Sequence, residues 1–249
     1  MKIASIKQQF VVGTLLLCAA QASTADSVVV LGEQIIDGGF SSLASWTVSG
    51  SVTTSGPGST INTSGGNAGY DGFFDSSFAN LGDTSGAIGG PPVTGVSTVS
   101  QTFILPDTVG GGSVASYDLE IGFLSVFDGD DSSSAVVDVF SASLNGITLF
   151  SQDSTPLPDC ALSTGCPDYQ VVNDPFSTTI VGLAPGTYTL TFTLSETAVP
   201  GGGNITNTAA GVDDISIIAT AHVPEPGTLA LLGLGLLGLA WRKLPSNRV

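Results

Sequence analysis

TYTLTFTL, residues 187–194, is the stretch that decides the fold class. In an extended chain successive side chains point to opposite sides, so Tyr188, Leu190, Phe192 and Leu194 share one face. Four threonines occupy the other face. Perfect alternation of this kind is typical of a half-buried β-strand, with its apolar face on a core.

The surrounding sequence extends the same pattern over most of the chain. Residues 117–123 alternate likewise, and Asn145-Gly146 joins 134–144 to 147–150 as a hairpin with a type I′ turn. Gly- and Ser-rich loops separate the strands at 56–69, 82–95, 110–112 and 201–203. Further strands are predicted at 28–31, 45–53, 98–105, 169–172, 178–181 and 211–218. No amphipathic helix is evident, so we expect an all-β fold, a single β-sandwich or barrel over residues 26–222.

The charges are strongly segregated along the chain. Lys and Arg number five against 21 Asp and Glu, for a formal net charge of −16. The basic residues all lie in the two tails: Lys2, Lys7, Arg242, Lys243 and Arg248. This balance argues against nucleic acid as a partner, because phosphate binding needs clustered Lys and Arg. The carboxylates of the central domain must therefore be solvated, hydrogen-bonded or bound to metal ions.

The N-terminus has the features of a secretory signal peptide over residues 1–25. Lys2 and Lys7 precede an apolar run at 10–20, and small residues follow it. The run is too short to span a bilayer. We expect signal peptidase to cleave after Ala22 or Ala25.

The C-terminal segment, residues 223–249, combines three features in a fixed order. Pro224-Glu225-Pro226 comes first, an apolar stretch at 227–241 follows, and Arg242-Lys243 comes last. The apolar stretch predicts one short transmembrane helix that anchors the chain in a membrane. The positive-inside rule leaves the basic pair on the cytoplasmic side.

This tail resembles the PEP-CTERM sorting signal of Gram-negative bacteria. The resemblance implies recognition by an exosortase, a membrane protease or transpeptidase that is thought to cleave at or near Pro-Glu-Pro. It also implies that the helix anchors the chain only transiently in the inner membrane, before delivery to the cell surface or extracellular matrix, in association with exopolysaccharide and biofilm.

Three stretches of the central domain resemble jelly-roll modules of exported bacterial proteins, including carbohydrate-binding ones. They are IDGGF with SWTVSG at 36–50, PGTYTL at 185–190, and GVDDISI at 211–217. The resemblance implies that the all-β domain is a single jelly-roll-like β-sandwich. Related jelly rolls often hold a structural calcium ion between their opening and closing strands. The resemblance therefore implies Asp37 and Asp214 as possible calcium ligands.

A second possible calcium site is the acidic cluster at Asp128, Asp130 and Asp131. Closely spaced oxygen ligands around a glycine suit Ca²⁺, which takes 6–8 oxygens. The alternative is a solvated polar turn between two strands. Apart from calcium, the sequence suggests no cofactor.

The cysteines predict one disulfide bond. Cys18 leaves with the signal peptide, so Cys160 and Cys166 are the two that remain in an oxidising compartment. Their spacing differs from the C-x-x-C of redox enzymes.

Aromatic and acidic residues suggest a sugar-facing surface. Tyr70, with Asp71 and Asp75, lies in a Gly-rich stretch, and Trp46 lies in the opening strand. The alternative for these rings is the core, because aromatic side chains are usually buried.

Catalysis has few residues to use in this domain. The only histidine, His222, falls in the linker before Pro224, which excludes a Ser-His-Asp triad or a histidine zinc site within the domain. Carboxylate chemistry remains, and a glycoside hydrolase would have to use Glu33, Glu120 or Glu196.

We therefore expect an exported, non-enzymatic surface or matrix protein that is structural or binds extracellular polysaccharide. Two alternatives stay open: a carboxylate-based glycoside hydrolase, and a passive matrix component without a specific ligand.

Overall fold

The computed structural model describes residues 26–56, 74, 76–82, 95–128, 137–153, 170–197, 209–225, 233–236 and 238. Most of these residues are in β-strands. The strands are β1 Asp26–Glu33, β2 Thr47–Ser49, β3 Val52–Ser55, β4 Phe78–Gly82, β5 Gly95–Leu105, β6 Thr108–Val109, β7 Gly112–Ser113, β8 Ser116–Asp128, β9 Val139–Leu144, β10 Ile147–Asp153, β11 Gln170–Leu183, β12 Gly186–Glu196 and β13 Ala209–Pro224.

The strands form two antiparallel sheets that face each other. The six-stranded sheet has the order β11-β8-β13-β4-β3, and β1 pairs with the C-terminal half of β13. The five-stranded sheet has the order β10-β9-β12-β5-β2. From β4 onward the chain alternates between the two sheets, as in a jelly roll, except at the β9–β10 hairpin within the five-stranded sheet and at the separate β6–β7 hairpin. The predicted all-β sandwich is confirmed.

The core lies between the inner faces of the two sheets. Leu190, Phe192 and Leu194 of β12 have no exposed surface. The alternation in residues 187–194 therefore determines which face of β12 is buried. Phe192 meets Phe123 of β8 edge to face, with ring centroids 5.0 Å apart. Each fully buried side chain of this size contributes about 1.5–3 kcal/mol relative to an exposed one.

The prediction of one strand over 45–53 is wrong, because Gly50 turns the chain from one sheet to the other. Gly50 has φ 75°, and a Cβ there would lie 2.4 Å from the carbonyl oxygen of Val96. Only glycine fits this corner. As a result β2 joins the five-stranded sheet and β3 joins the six-stranded sheet.

Other local predictions fared unevenly. Asn145 (φ 48°) and Gly146 (φ 79°) confirm the type I′ hairpin between β9 and β10. The two strands expected at 169–172 and 178–181 are one strand, β11, interrupted by irregular register against β8. The sequence did not predict β4 or the small β6–β7 hairpin.

The terminal segments lie mostly outside the described residues. The predicted signal peptide, residues 1–25, is outside them altogether. Within the predicted membrane segment 227–241, residues 233–236 and 238 are helical. In the part of the chain that is described, no helix is long and apolar enough to cross a membrane.

Candidate functional site

The outer face of the five-stranded sheet carries two complete rows of hydroxyl side chains, one from each strand. Alternation places them outward because their neighbours along each strand, such as Val99 and Phe192, fill the core. We call this surface the hydroxyl face. The first row is Thr148, Ser143, Thr191, Ser100 and Thr47. The second row is Ser151, Ser141, Thr193, Thr98 and Ser49.

The spacing of the hydroxyl face follows from sheet geometry. Neighbours within a row are about 4.8 Å apart, and the two rows are about 7 Å apart, which is two residues along a strand. Thr102 and Thr189 continue the pattern beyond the first row, with their hydroxyl oxygens 2.9 Å apart. Each hydroxyl offers one donor and two acceptor lone pairs. The two rows contain no charged residue, so this surface is neutral and capable of many hydrogen bonds.

Trp46, predicted to face a ligand, lies in the core. Only 6% of it is exposed, and its ring stacks on Phe40 with centroids 4.7 Å apart. Its indole N–H donates to the carbonyl oxygen of Asp37 at 3.1 Å. The core alternative for this ring is therefore the one that the structure supports. Tyr70, Asp71 and Asp75 lie outside the described residues, and their sugar-binding role stays a prediction.

Asp37 organises the loop between β1 and β2. Its backbone is left-handed (φ 58°), and its two carboxylate oxygens accept the N–H groups of Ser41 and Ser42 at 2.8 and 2.9 Å. Burial raises the pKa of Asp37, but the hydrogen bonds from Ser41 and Ser42 outweigh it and leave the pKa below its usual value. Asp37 thus serves as an internal acceptor that holds the loop.

The loop after Asp37 packs against a bulge in β13. The register of β13 against β8 shifts between Asp213 and Ser216, and the N–H of Ile215 donates to the carbonyl oxygen of Gly38 at 3.1 Å. A Cβ on Gly38 would lie 1.9 Å from the carbonyl oxygen of Ile215. Only glycine allows this approach, and the closing strand is thereby fastened to the opening loop.

The calcium ligands stay a prediction. Asp214 is exposed in a left-handed conformation (φ 49°), whereas both oxygens of Asp37 already accept backbone N–H groups. Among the described residues, no three or more His, Cys, Asp or Glu side chains are grouped so as to hold a metal ion. Asp130 and Asp131 lie outside those residues, and for Asp128 only the backbone is described. Melting in calcium and then in chelator would test this prediction.

Two of the three candidate glycosidase glutamates lie on the same sheet, and the third lies on the other. Glu33 and Glu120 both pair with Ile218, so they flank β13 with Cα atoms about 10 Å apart. Glu196 is buried in the other sheet.

The Glu33 carboxylate is engaged within the fold. It accepts the N–H groups of Gln34, Ile35 and Ile217 at 2.7–3.0 Å and the Ser216 hydroxyl at 2.7 Å. These bonds hold the bulge of β13, which points to a structural role for Glu33.

The end of β13 forms a second region of interest, the sorting junction, residues 222–225. The expectation that His222 lies in a linker is wrong: it is in β13, which continues two residues past 222. Its Nε2 atom lies 3.0 Å from Oδ2 of Asp118 in β8, whose other oxygen accepts the Gly182 N–H at 3.0 Å. The contacts with His222 and Gly182 hold the pKa of Asp118 below its usual value.

Several predicted residues lie outside the described part of the chain. They are Cys160, Cys166, Pro226, Arg242 and Lys243. The disulfide between Cys160 and Cys166 therefore stays a prediction.

Comparison with protein families identifies the C-terminal segment. A family model described as the PEP-CTERM protein-sorting motif matches residues 222–243. The chain thus carries the sorting motif of exported, surface-directed proteins, and this motif implies processing by an exosortase. A comparison with curated proteins finds no match.

Solved structures show only a distant likeness to the sandwich. One is the CBM22-1 xylan-binding domain of Paenibacillus barcinonensis Xyn10C, with 12% identity over 81% of this chain and 99% of that one, and a TM-score of 0.29. A second is the CBM36-1 domain of a multidomain xylanase from the hindgut metagenome of Trinervitermes trinervoides (15% identity, 79% and 96% coverage, TM-score 0.24). A third is dimeric latent PorU of Porphyromonas gingivalis (14% identity, 77% of this chain and 14% of that one, TM-score 0.30). At these TM-scores nothing about a ligand carries over to this chain.

Proposed function

We propose that this chain is a non-catalytic protein of the cell surface or extracellular matrix whose sandwich binds a neutral polysaccharide on its hydroxyl face. The observation that carries the proposal is the pair of five-hydroxyl rows across the five-stranded sheet. Sugar hydroxyls are donors and acceptors of the same kind, and water can bridge them where the fit is loose. A repeating polymer can meet many such groups at once.

The negative net charge of the chain favours a neutral polysaccharide over an anionic one. The chain has a net charge of −16, and residues 26–222 contain no Lys or Arg. An anionic polysaccharide would be repelled by this field, most strongly at low salt. A neutral polymer avoids this repulsion, and the two hydroxyl rows themselves contain no carboxylate.

The test is binding of the purified full chain, in detergent, to a panel of neutral and uronic-acid polysaccharides. We expect saturable binding to a neutral polymer and none to the anionic ones. Thr191→Gln places a longer uncharged side chain in the middle of the hydroxyl face and should weaken binding at least tenfold. Thr179 is exposed on β11 of the other sheet, so Thr179→Gln is the matched control and should bind as the wild type does.

A passive matrix role without a ligand is the second candidate. The observation that favours it concerns aromatic rings: among the side chains whose burial is described, no aromatic residue is exposed. Rings that stack on sugars are therefore lacking in that part of the surface. Failure to bind any polysaccharide would favour this candidate.

A further inference from the structure

The sorting junction is built into the folded domain. Pro224, the first residue of the sorting motif proper, is the last residue of β13, where it pairs with Asp26 of β1. The register continues as Ser27 with Val223, Val28 with His222 and Val29 with Ala221.

Contacts from three other elements also hold this end of β13. On its other edge, β8 pairs with β13 as far as His222, which is also in contact with Asp118. The carbonyl oxygen of His222 accepts the Ala115 N–H at 2.8 Å. Val223 is only 7% exposed, and Gly112 of β7 comes so close that a Cβ there would lie 2.5 Å from Cγ1 of Val223. Pro224 and Glu225, in contrast, are exposed.

We propose that β1 is a clamp that decides where the sorting protease cuts. Proteolysis needs at least one side of the cleaved bond free of other backbone pairing. Residues 218–224 are all paired on the β1 side, so Pro224–Glu225 is the first bond that includes an unpaired residue, Glu225. Cleavage is thereby confined to the Pro224–Glu225 bond or bonds beyond it. In that step the peptide C–N bond breaks, the carbonyl carbon is joined to the oxygen of water or to an acceptor amine, and the tail leaves with a new amino group.

The clamp also links the two ends of the exported domain. Its first residue, Asp26, directly follows Ala25, one of the two predicted signal-peptidase sites. A chain whose β1 strand is not docked would expose its junction and be cut within the domain. This inference rests on the sorting part of the proposed function and is independent of polysaccharide binding.

The first test is the C-terminal residue of the mature protein, measured by intact mass in a host with the sorting enzyme and in one without it. We expect processing only in the host with the enzyme, with all ends at Pro224 or later. Ends at residues 219–223 would overturn the clamp while leaving sorting intact. Identical, unprocessed chains in both hosts would overturn the sorting function itself.

The second test loosens the clamp with a matched pair of variants in β1. Val29 is half-buried and packs on the core, whereas Val30 is 64% exposed. In Val29→Asp we expect at least half of the mature ends to move into 219–223. In Val30→Asp we expect the wild-type ends, and equal behaviour of the two variants would contradict the clamp.

Hydrogen exchange on the wild-type full chain covers the case in which Val29→Asp fails to fold. The amides of Ala221 and Val223 should exchange at least about 100-fold more slowly than that of Glu225, because only the former lie within the paired strand. Similar exchange rates at the three positions would overturn the proposal.

Discussion

The two outer faces of this sandwich have opposite chemistry. The outer face of the five-stranded sheet presents the two uncharged hydroxyl rows; beside them Asp153 is exposed on β10, and the Asn145 side chain accepts the Thr189 N–H at 2.7 Å. The six-stranded sheet presents Glu33, Asp118, Glu120 and His222, and several of these side chains hold other parts of the chain in place. The contrast teaches that Glu33 and Asp118 are engaged in contacts that hold the fold and the sorting junction, whereas the face that we propose for recognition is lined by uncharged hydroxyl groups. Substitutions of the engaged side chains on the six-stranded sheet should lower the free energy of unfolding. Substitutions in the hydroxyl rows of the five-stranded sheet should weaken polysaccharide binding.

The largest expected effect is at the loop fastened to the six-stranded sheet. Gly38→Ala puts a Cβ into the Ile215 carbonyl oxygen and must break the bond between these residues, so we expect the free energy of unfolding to fall by about 3 kcal/mol. Gly39→Ala meets nothing closer than 4.0 Å, at Asp213, and should change it by less than about 0.5 kcal/mol. Urea unfolding of both variants checks this pair, and equal losses would show that the loop is not fastened at Gly38.

The next largest effect on stability should distinguish Glu33 from Glu120, which both lie on the six-stranded sheet. Glu33→Gln replaces one acceptor oxygen by an NH₂ group, which cannot accept the hydrogen bonds that the Glu33 carboxylate receives. We therefore expect the free energy of unfolding to fall by about 1–2 kcal/mol. The Glu120 side chain on β8 is exposed, so the free energy of unfolding of Glu120→Gln should lie within about 0.5 kcal/mol of that of the wild type. Thermal and urea unfolding measure both. A stable Glu33→Gln protein that has lost a glycan-cleaving activity would instead revive the glycosidase alternative.

A smaller effect depends on pH. The contacts with His222 and Gly182 lower the pKa of Asp118 from 3.8, so their stabilisation is present above that value and is lost as the pH falls through the lower, folded pKa. The side chains of the pair are 27% and 33% exposed, so we expect less than about 1 kcal/mol. Unfolding free energies from pH 5 downward, compared with those of Asp118→Asn, isolate this contribution. Parallel curves for the two proteins would contradict it.

The smallest effect on stability should come from the hydroxyl face. Thr191→Val keeps the side-chain shape and removes one solvated hydroxyl, so the free energy of unfolding should change by less than about 0.5 kcal/mol. Polysaccharide binding should still weaken by about two- to tenfold, the net worth of one hydrogen bond. Thr179→Val is the control for both measurements. A large loss of stability in Thr191→Val would mean that this face is structural.

The sequence predicted the strands whose alternation is complete, because a period of two needs no knowledge of partners. Residues 117–123 and 187–194 are examples, with every second side chain fully or nearly fully buried except Tyr188, which is half-buried. It did not predict β4, which is buried on both faces and so shows no alternation: Phe78, Ala79 and Leu81 have no exposed surface.

The candidate site was visible only in part. The outward threonines of 187–194 were evident, but their alignment with Ser100 and Ser143 depends on register, which the sequence of one strand does not contain. The contact of His222 with Asp118 joins residues 104 positions apart and was missed for the same reason. The Pro-Glu-Pro motif, a contiguous pattern, was readable directly and is confirmed by the family comparison.

The central claim, that the neutral face of the five-stranded sheet is the recognition surface, is tested most directly by NMR. A soluble fragment of the neutral polysaccharide that binds would be titrated into the protein and the amide shifts followed. We predict that the largest saturable shifts fall on residues 98–102, 141–143 and 189–193. Shifts concentrated on residues 116–124 of the acidic face, or no saturable shifts at all, would contradict the account.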